Sequence, residues 1–336
     1  MSTARGPAPE AAVALPVDLV LPEQVRAAAR RLAGVAIRTP LLSAPWLSAL
    51  AGVEVRLKCE NLQRAGAFKM RGAYNTIASL ADEERRRGVI TASSGNHGQA
   101  VALAARMFGV PAVVVMPTTA PPVKVEGVKS YGGEVVFAGT TSTERFQKAQ
   151  ELLAERGLVM IPPFDDPRII AGQGTVGLEI LEDWPEVEQV LVPIGGGGLL
   201  SGVAAYVKRE KPPCAVIGVE PENANAMRQS LDAGQAVTIE SKPTVADGLM
   251  PVRPGDLTFA HCRALVDDIV LVGEDSIVHA TRDLLLRSKL LVEFSGAATT
   301  AALTSGRFRP QGPTAVVLSG GNLDPGTIRG LLELPL

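Results

Sequence analysis

The sequence has few aromatic residues and almost no net charge. Aromatic residues make up 4% of the 336 residues, although 46% are hydrophobic, so Ala, Val, Leu and Ile must fill the interior. This length corresponds to about two domains, and the hydrophobic content excludes a disordered chain. Basic and acidic residues number 33 and 35, a formal charge of −2. That balance gives no positive field to hold nucleic acid or an anionic membrane, so we expect neither as a partner.

The chain also lacks the features of secreted and membrane proteins. Its three cysteines, Cys59, Cys214 and Cys262, are too few and too scattered for a disulfide framework or for paired zinc ligands. No apolar run approaches the roughly 18–20 residues of a membrane span. Residues 1–19 lack the pattern of a signal peptide and are predicted to be a loose tail. We therefore expect a protein of the reducing cytoplasm.

Short runs rich in Val and Ile alternate with segments of helical spacing, which predicts βα units and parallel sheets. In 142–156, the spacing predicts that Phe146, Ala149, Leu152 and Leu153 face the core. The first lobe contains predicted strands 89–92, 112–116 and 134–138 and helices 96–108, 121–131 and 142–156. The second contains strands 189–193, 215–219, 269–272 and 315–318 and helices 199–210, 224–234, 274–288 and 296–306.

The first candidate site is Lys69, within the segment KCENLQRAGAFKMRG at 58–72. The lysine follows a Gly-containing turn, has Phe68 and Met70 as neighbours, and lies at the start of a predicted helix over 70–80. An amine in such surroundings should have a lowered pKa, as a Schiff-base lysine needs. A single lysine is nevertheless far more often a surface residue, so other sites must support this interpretation.

The second candidate site is TASSGNHG at 91–98, where a predicted strand meets a helix. Main-chain N–H groups at a helix start, beside small side chains, can bind an anion such as a carboxylate, and Ser94 adds a hydroxyl. A simple helix N-cap explains the same residues equally well.

The third candidate site is the run of glycines from Gly195 to Gly198, between a predicted strand and a helix. Its exposed N–H groups would suit a phosphate, and so many glycines are costly for an ordinary turn. Glu220 lies 22 residues after Gly198, as in a dinucleotide-binding fingerprint, but Ser201 replaces its third glycine. A nicotinamide-dependent oxidoreductase therefore stays an alternative, although it leaves the other two sites unexplained.

Together, the three loops resemble the fold-type II pyridoxal-phosphate enzymes over 25–324. The closest resemblance is to the threonine/serine dehydratase and serine racemase family, of the catabolic type without a regulatory domain. It implies a tryptophan synthase β-like α/β fold with two parallel-sheet lobes and the active site between them. The large cofactor-binding domain would comprise 1–82 plus 166–336, and the small mobile domain 88–164.

The resemblance also implies which residues hold pyridoxal 5'-phosphate. Lys69 would carry the cofactor, next to Phe68, although Ala67 stands where the family usually has Ser. Asn96 would lie beside the 3-hydroxyl group. The remaining implied contacts are Gly195, Gly196, Gly197, Gly198 and Leu199 at the phosphate, Ser319 of LSGGN at the pyridine nitrogen, and Glu293 of VEFSGA beside the cofactor.

For the substrate, the resemblance implies that the SSGNHG loop binds the amino-acid carboxylate through Ser93, Ser94, Asn96 and His97. Ser94 aligns with the serine that acts as the second acid/base in the racemases, so racemisation stays open. Phe164 stands where the mammalian racemases have Asn, which favours a dehydratase. Arg145, at the distal end of the racemase pocket, and Asp247, near the active site, are weaker assignments.

These assignments predict β-elimination from L-threonine or L-serine, with Lys69 as the base at Cα and a 2-oxo acid plus ammonia as products. A divalent or monovalent cation could bind at Glu220 and the Ala224 carbonyl, but Ala226 replaces the usual third ligand, an Asp. A homodimer or larger homo-oligomer is expected. Serine racemase and β-hydroxyaspartate dehydratase are the alternatives within the family, and a catalytically silent cofactor- or amino-acid-binding protein is another outside it.

Overall fold

Val-, Ile- and Ala-rich segments form two separate β-sheets, whose strands the helices connect. A computed structural model describes residues 18–93 and 95–334. In chain order the strands are β1 (Leu41–Ser43), β2 (Val55–Lys58), β3 (Val89–Ala92), β4 (Ala112–Met116), β5 (Glu134–Phe137), β6 (Val159–Met160), β7 (Gln189–Pro193), β8 (Ala215–Pro221), β9 (Asp268–Val272) and β10 (Thr314–Val317). The larger sheet has six strands in the order β1-β2-β10-β7-β8-β9, and the smaller has four in the order β5-β4-β3-β6.

Apart from the antiparallel pair β1–β2, the neighbouring strands run parallel. Strands covered on both faces consist of continuous apolar residues, and β4 (AVVVM) is buried along its whole length. Parallel strands bring their carboxyl ends to one edge of a sheet. The loops after β7 and β10 therefore lie at the same edge of the larger sheet, and the loop after β3 lies at the corresponding edge of the smaller one.

The described residues contain α-helices at both faces of these sheets, and none of them is long and apolar enough to cross a membrane. Short 3-10 turns occupy Glu60–Leu62, Arg64–Gly66 and Asp247–Leu249, and a π-helical turn occupies Leu284–Ser288. The helices are α1 (Pro22–Leu32), α2 (Pro45–Ala51), α3 (Lys69–Ala78), α4 (Asp82–Arg87), α5 (Asn96–Phe108), α6 (Pro122–Ser130), α7 (Ser142–Arg156), α8 (Pro167–Asp183), α9 (Gly198–Glu210), α10 (Ala226–Ala233), α11 (Asp256–Leu265), α12 (Glu274–Asp283), α13 (Phe294–Thr304) and α14 (Pro325–Glu333).

Helices α8 and α9 pack unusually closely, and glycines make this possible. A Cβ atom added to Gly202 of α9 would lie 2.4 Å from the carbonyl oxygen of Ile170 in α8. A Cβ on Gly174 of α8 would lie 2.8 Å from the carbonyl oxygen of Gly202. Any larger side chain would push the helices apart, so this contact fixes the position of α9 and of the glycine loop that precedes it.

The structure confirms most of the predicted strands and helices and corrects several details. Phe146 is wrong as a core residue: its side chain is 55% exposed, because α7 packs on β3 and β4 through Ala149 and Leu152, and Phe146 lies outside that contact. The predicted helix 224–234 begins at Ala226, and the predicted helix 274–288 changes to π geometry after Asp283. The sequence analysis did not assign α1, α2, α4, α8, α11, α14, β1, β2 or β6. Most of the predicted N-terminal tail lies outside the described residues.

Candidate active site

Lys69 is the first residue of α3, and its amine lies in apolar surroundings. The Nζ atom donates a hydrogen bond to the Pro163 carbonyl oxygen at 2.7 Å and lies 5.2 Å from the centre of the Phe68 ring. Burial lowers the pKa of Lys69 to about 8, which confirms the lowered pKa predicted from the sequence. About a tenth of the amine is therefore uncharged at pH 7, far more than for an ordinary lysine, and can act as a nucleophile or a base.

The segment that leads to Lys69 packs directly on the loop after β10. The Phe68 N–H donates to the carbonyl oxygen of Ser319 at 3.1 Å, and Ala67 forms an isolated antiparallel bridge with Gly320. Ser319 is buried. These main-chain contacts place the LSGGN loop beside the start of α3, so residues separated by about 250 positions become neighbours.

In the loop after β3, the structure describes Ser93 and residues from Gly95 onward; the predicted catalytic residue Ser94 lies outside the described residues. Ser93 Oγ accepts hydrogen bonds from the N–H groups of Gly95 at 3.3 Å and Gly98 at 3.2 Å. The Ser93 hydroxyl thus holds the first turn of α5 from two residues before the N-cap, which is Gly95 and not one of the predicted polar residues.

His97 is buried and neutral. Burial, with a smaller contribution from the charge of Lys69, lowers its pKa to about 3, against a hydrogen bond with the Ile161 carbonyl. Its Nε2 lies 3.0 Å from that carbonyl oxygen and therefore carries the proton. Among the described residues, Nδ1 has no hydrogen-bond partner, which leaves one buried acceptor near Lys69 for a ligand or a water molecule.

Asn96, Glu293 and Asn322 form a hydrogen-bonded group between the two sheets. Asn96 Nδ2 donates to Glu293 Oε1 at 2.6 Å, and Asn322 Nδ2 donates to Asn96 Oδ1 at 2.8 Å. Burial raises the pKa of Glu293 to about 7, and Asp247 contributes to the rise, whereas Asn96 and Lys124 oppose it. Glu293 can therefore be neutral or charged near physiological pH.

The glycine loop between β7 and α9 is closely surrounded on one side. A Cβ atom on Gly196 would lie 2.2 Å from a ring carbon of Phe164, and Gly197 has a φ of +95°. Thr258 Oγ1 donates to the Gly196 carbonyl oxygen at 2.7 Å. Within residues 18–93 and 95–334, the N–H groups of Gly196, Gly197 and Gly198 donate to no protein group. The loop thus presents free donors at the positive end of α9, followed by the buried Leu199.

The weaker predicted residues lie apart from this arrangement or have other partners. Arg145 donates to the Thr140 carbonyl oxygen and to Ser142 Oγ, at the start of its own helix. Asp247 forms an ion pair with Lys124, which joins the 247–249 turn to α6. Neither observation assigns a substrate contact, so both roles stay predictions.

Glu220 has a local structural role. Its two carboxylate oxygens accept hydrogen bonds from the N–H groups of Met227 and Arg228, each at 2.9 Å, and thereby cap α10. Ala224 lies in the intervening turn, and its N–H donates to the Pro221 carbonyl oxygen. The described residues contain no group of three or more His, Cys, Asp and Glu side chains that could hold a metal ion. Because both Glu220 oxygens already accept main-chain hydrogen bonds, this carboxylate is not free to bind a dinucleotide, as the oxidoreductase alternative requires.

The sequence analysis above does not predict a cluster of buried ion pairs near the start of α3. Arg71 is buried and contacts both Glu60 and Glu179, with Nη2 2.7 Å from Glu60 Oε1 and Nη1 2.6 Å from Glu179 Oε1. Lys58 contacts Glu179 Oε2 at 2.6 Å. Lys58, Glu60 and Arg71 lie within the segment 58–72. Charged residues among apolar ones in this segment could have indicated a buried ion-pair cluster. Asn322 was missed too, although it ends the LSGGN motif.

Comparison with known proteins agrees with the geometry. Residues 32–320 match the family described as "Pyridoxal-phosphate dependent enzyme". An L-threonine ammonia-lyase of Thermotoga maritima is 46% identical over 311 residues, 93% of this chain and 78% of that protein. The catabolic L-threonine dehydratase TdcB of Escherichia coli K12 is 44% identical, over 92% of this chain and 94% of its own. The structure of maize serine racemase superimposes with a TM-score of 0.90 at 41% identity, covering 94% of this chain and 97% of that one.

Proposed function

The chain belongs to the family of pyridoxal-phosphate-dependent enzymes, and from that premise we propose that it is an ammonia-lyase for L-threonine, L-serine or both. The products are 2-oxobutyrate from threonine and pyruvate from serine, each with ammonia. The observation that carries the proposal is the partly buried Lys69 amine with its lowered pKa, at the edge where the loops after β3, β7 and β10 approach one another.

The residues present fit the cofactor. The unpartnered N–H groups of the glycine loop suit a dianionic phosphate, and Lys69 offers a nucleophilic amine to the aldehyde. The buried Ser319 lies next to Phe68, where a neutral hydroxyl would face the pyridine nitrogen. Asn96 and Glu293 supply a polar edge for the ring hydroxyl. Leu199 completes the set of residues that we assign to the cofactor.

When bound, pyridoxal phosphate withdraws electrons from the substrate Cα, which makes its proton acidic. Lys69 takes that proton at Nζ, since its environment favours the uncharged amine. The Cα–H electrons form the Cα–Cβ double bond as the Cβ–O bond breaks, and the hydroxyl group leaves as water after protonation. The free enamine product then adds water and releases ammonia to give the 2-oxo acid.

For substrate binding, we assign the amino-acid carboxylate to the loop of Ser93, Ser94, Asn96 and His97. The start of α5 supplies a positive helix end, and neutral His97 adds no competing charge. Arg145 and Asp247 are proposed as outer contacts that close the cleft over the substrate. The one methyl group that separates threonine from serine changes binding by only about 1–3 kcal/mol, so we propose activity on both.

Serine racemisation is the second candidate function, and the similarity to maize serine racemase favours it. It needs a proton donor on the face of Cα opposite Lys69, the role proposed for Ser94. A Ser94→Ala variant should lose D-serine formation and keep 2-oxo acid release. Chiral chromatography of the product separates the two activities.

The remaining assignments concern the whole molecule. We propose the division into 1–82 plus 166–336 and 88–164, supported by the separate sheets. We also propose a cytoplasmic location, which the three free, buried cysteines support, and a homodimer, which light scattering can test. We further propose a cation site at Glu220 and the Ala224 carbonyl, which is tested by measuring the activity before and after treatment with a chelator.

The decisive assay is 2-oxo acid release from L-threonine and L-serine by the cofactor-loaded protein, followed with lactate dehydrogenase and NADH. Lys69→Ala serves as the blank, and Lys129→Ala, an exposed lysine of α6, as the matched control. We expect turnover in the wild type and in the control and none in the blank. A wild-type protein that binds the cofactor and releases no 2-oxo acid from either substrate would overturn the proposal.

A further inference from the structure

The Asn322 side chain lies at the junction of three loops that are distant in the sequence. Its Nδ2 donates to the Ala65 carbonyl oxygen at 2.9 Å and to Asn96 Oδ1 at 2.8 Å. Asn96 Nδ2 in turn donates to Glu293 Oε1 at 2.6 Å. Hydrogen bonds therefore run from Asn322 through Asn96 to Glu293, and we call these three side chains the amide network.

The donor and acceptor chemistry of these side chains fixes the direction of each hydrogen bond in the amide network. A main-chain carbonyl can only accept, so Asn322 must turn its NH2 group, and not its oxygen, toward Ala65. The second hydrogen of the same NH2 group then faces Asn96, which must present its oxygen. Asn96 is left with its own NH2 group toward Glu293, whose carboxylate accepts.

One hydrogen on Asn96 Nδ2 is then used by Glu293. The other has no partner among the described residues and stays available to an oxygen atom of a ligand. Reversal of the Asn96 amide would turn its NH2 group toward the NH2 group of Asn322, so that two donors would face each other. The orientation of Asn96 is thus decided by the Ala65 carbonyl, through Asn322.

The turn that carries this carbonyl is built around Asn322. Ala65 and Gly66 have φ values of +57° and +72°, and a Cβ atom on Gly66 would lie 2.2 Å from Asn322 Oδ1. The Gly321 N–H donates to the Gly66 carbonyl oxygen at 2.9 Å. A left-handed φ is uncommon for alanine and persists only where the surroundings hold it. Lys69 follows Gly66 by only three residues, so the same turn positions the Lys69 amine and the carbonyl group that binds the amide network.

We propose that Asn322 is a positioning residue that fixes the direction of the Asn96 carboxamide, and thereby reserves one Asn96 N–H for an oxygen atom of the cofactor. This inference rests on the proposed function only in the identity of the ligand. Asn322 itself contacts neither substrate nor cofactor in this scheme.

Asn322→Asp tests the direction, because a carboxylate cannot donate to Ala65 or to Asn96. Asn96 must then reverse to donate to the introduced carboxylate, and its oxygen meets Glu293. Protonation of the introduced carboxylate at lower pH restores a donor toward Asn96 Oδ1 and lets Asn96 return to its original direction. The charged groups that face Glu293 from neighbouring elements are Asp247 and Lys124, and both are unchanged in this variant.

The experiment is a titration of the cofactor-free protein with pyridoxal phosphate at pH 6 and pH 8, followed by fluorescence. Relative to wild type at the same pH, we expect Asn322→Asp to raise Kd about tenfold or more at pH 8, the cost of one lost buried hydrogen bond, and less at pH 6. The double variant Asn322→Asp with Glu293→Gln should keep the raised Kd at pH 8, because Gln can donate to the reversed Asn96 and so holds the Asn96 oxygen, and not an N–H, toward the cofactor.

Asn61→Asp is the matched control. Asn61 is a buried asparagine and Asn322 a partly buried one. The Asn61 Nδ2 likewise donates to a main-chain carbonyl, that of Leu291 at 3.1 Å, and it has no bond to Asn96. We expect a similar loss of thermal stability but a Kd within about threefold of wild type at both pH values. Equal effects of the two substitutions on Kd, or recovery of the affinity at pH 8 on adding Glu293→Gln, would overturn the proposal.

Two cycles of urea unfolding test the cofactor-free protein, and they need two further variants, Glu293→Gln alone and Asn61→Asp with Glu293→Gln. The effects of Asn322→Asp and Glu293→Gln should not be additive, whereas those of Asn61→Asp and Glu293→Gln should be. These cycles need no ligand. A wild-type protein that failed to bind pyridoxal phosphate would contradict the proposed function, while the unfolding cycles would still decide whether the amide network has the stated direction.

Discussion

Lys58 and Lys69 are eleven residues apart and both enter the interior, yet their surroundings differ. Lys58 ends β2, is fully buried, and donates to a carboxylate oxygen of Glu179 at 2.6 Å and to the Thr39 carbonyl oxygen at 2.7 Å. Lys69 begins α3 and donates to one neutral acceptor, the Pro163 carbonyl oxygen. Among residues 18–93 and 95–334, no carboxylate contributes to the pKa of Lys69, and burial lowers it.

The comparison teaches that the charge of the partner group decides what a lysine in the interior can do. A carboxylate compensates the charge of an ammonium group, so the pair serves the fold. The same holds for Glu60: burial alone would raise its pKa, but Arg71 and Lys58 lower it. A lysine buried without a carboxylate instead gives up its proton readily and becomes available for chemistry. The chain places one lysine of each kind in the same segment.

The largest expected effect comes from removing the reactive lysine. Lys69→Ala should lower kcat for 2-oxo acid release by a factor of about 1,000 or more, since one positioned base contributes about 100- to 10,000-fold. Thermal stability should change by a few degrees at most, because Lys69 pairs with no carboxylate among the described residues. A Lys69→Ala variant that unfolds, or that keeps a tenth of the activity, would contradict the distinction between a reactive Lys69 and a structural Lys58.

The second effect comes from removing Glu179, the carboxylate partner of the structural lysine Lys58. Glu179→Ala leaves Lys58 and Arg71 with only Glu60 to balance them, and loss of one partner from a buried pair costs about 3–5 kcal/mol of unfolding free energy. Urea denaturation measures this loss. Glu182→Ala, an exposed residue of the same helix paired with Arg38, should change stability by only about 0.5 kcal/mol. Similar losses in the two variants would show that the buried charges do not matter as stated.

The third effect sharpens the comparison through pH. In the cofactor-free protein, only the uncharged amine of Lys69 attacks the aldehyde of pyridoxal phosphate. The capture rate should therefore rise about tenfold per pH unit below pH 8 and level off above it, because the lowered pKa is about 8. Stopped-flow absorbance follows the reaction. A rate that still rises steeply at pH 9.5, as for a lysine with its ordinary pKa of 10.5, would contradict the lowered value.

The smallest effect concerns a third lysine, near the surface. Lys124 on α6 pairs with Asp247, which is about half exposed, and such pairs contribute about 0–1 kcal/mol. Lys124→Ala should raise KM about twofold to fivefold and leave kcat within about twofold, with the difference disappearing in high salt. Lys148→Ala, in an exposed pair within α7, is the control and should change neither constant.

The sequence allowed prediction of the elements whose patterns are local. Strand β4 is a continuous apolar run, and α5 has regular helical spacing, so the amino-acid pattern alone locates both. Phe146 could not be placed correctly, because its exposure depends on where α7 meets the sheet and not on its spacing within the helix. The two-residue strand β6 is too short to have a pattern of its own.

In the candidate site, Lys69 was predictable because its neighbours in the chain already make its surroundings apolar. The Asn96–Asn322 contact was not, because it joins residues 226 positions apart and depends on the turn at Ala65. Likewise, the spacing of Glu220 suggested a ligand, but only the structure reveals that its carboxylate caps α10. Local chemistry is visible in the sequence, whereas the partner that gives a group its role usually is not.

The most direct test of the central claim, that Lys69 is the reactive lysine and Lys58 a structural one, is to trap the cofactor on the protein. The holoenzyme is reduced with borohydride and digested, and the peptides are sequenced by mass spectrometry. The account predicts that the visible absorbance disappears and that the pyridoxyl group is found on Lys69 in essentially every molecule. A label on Lys58 or on Lys124, or a reduced protein that carries no label, would contradict it.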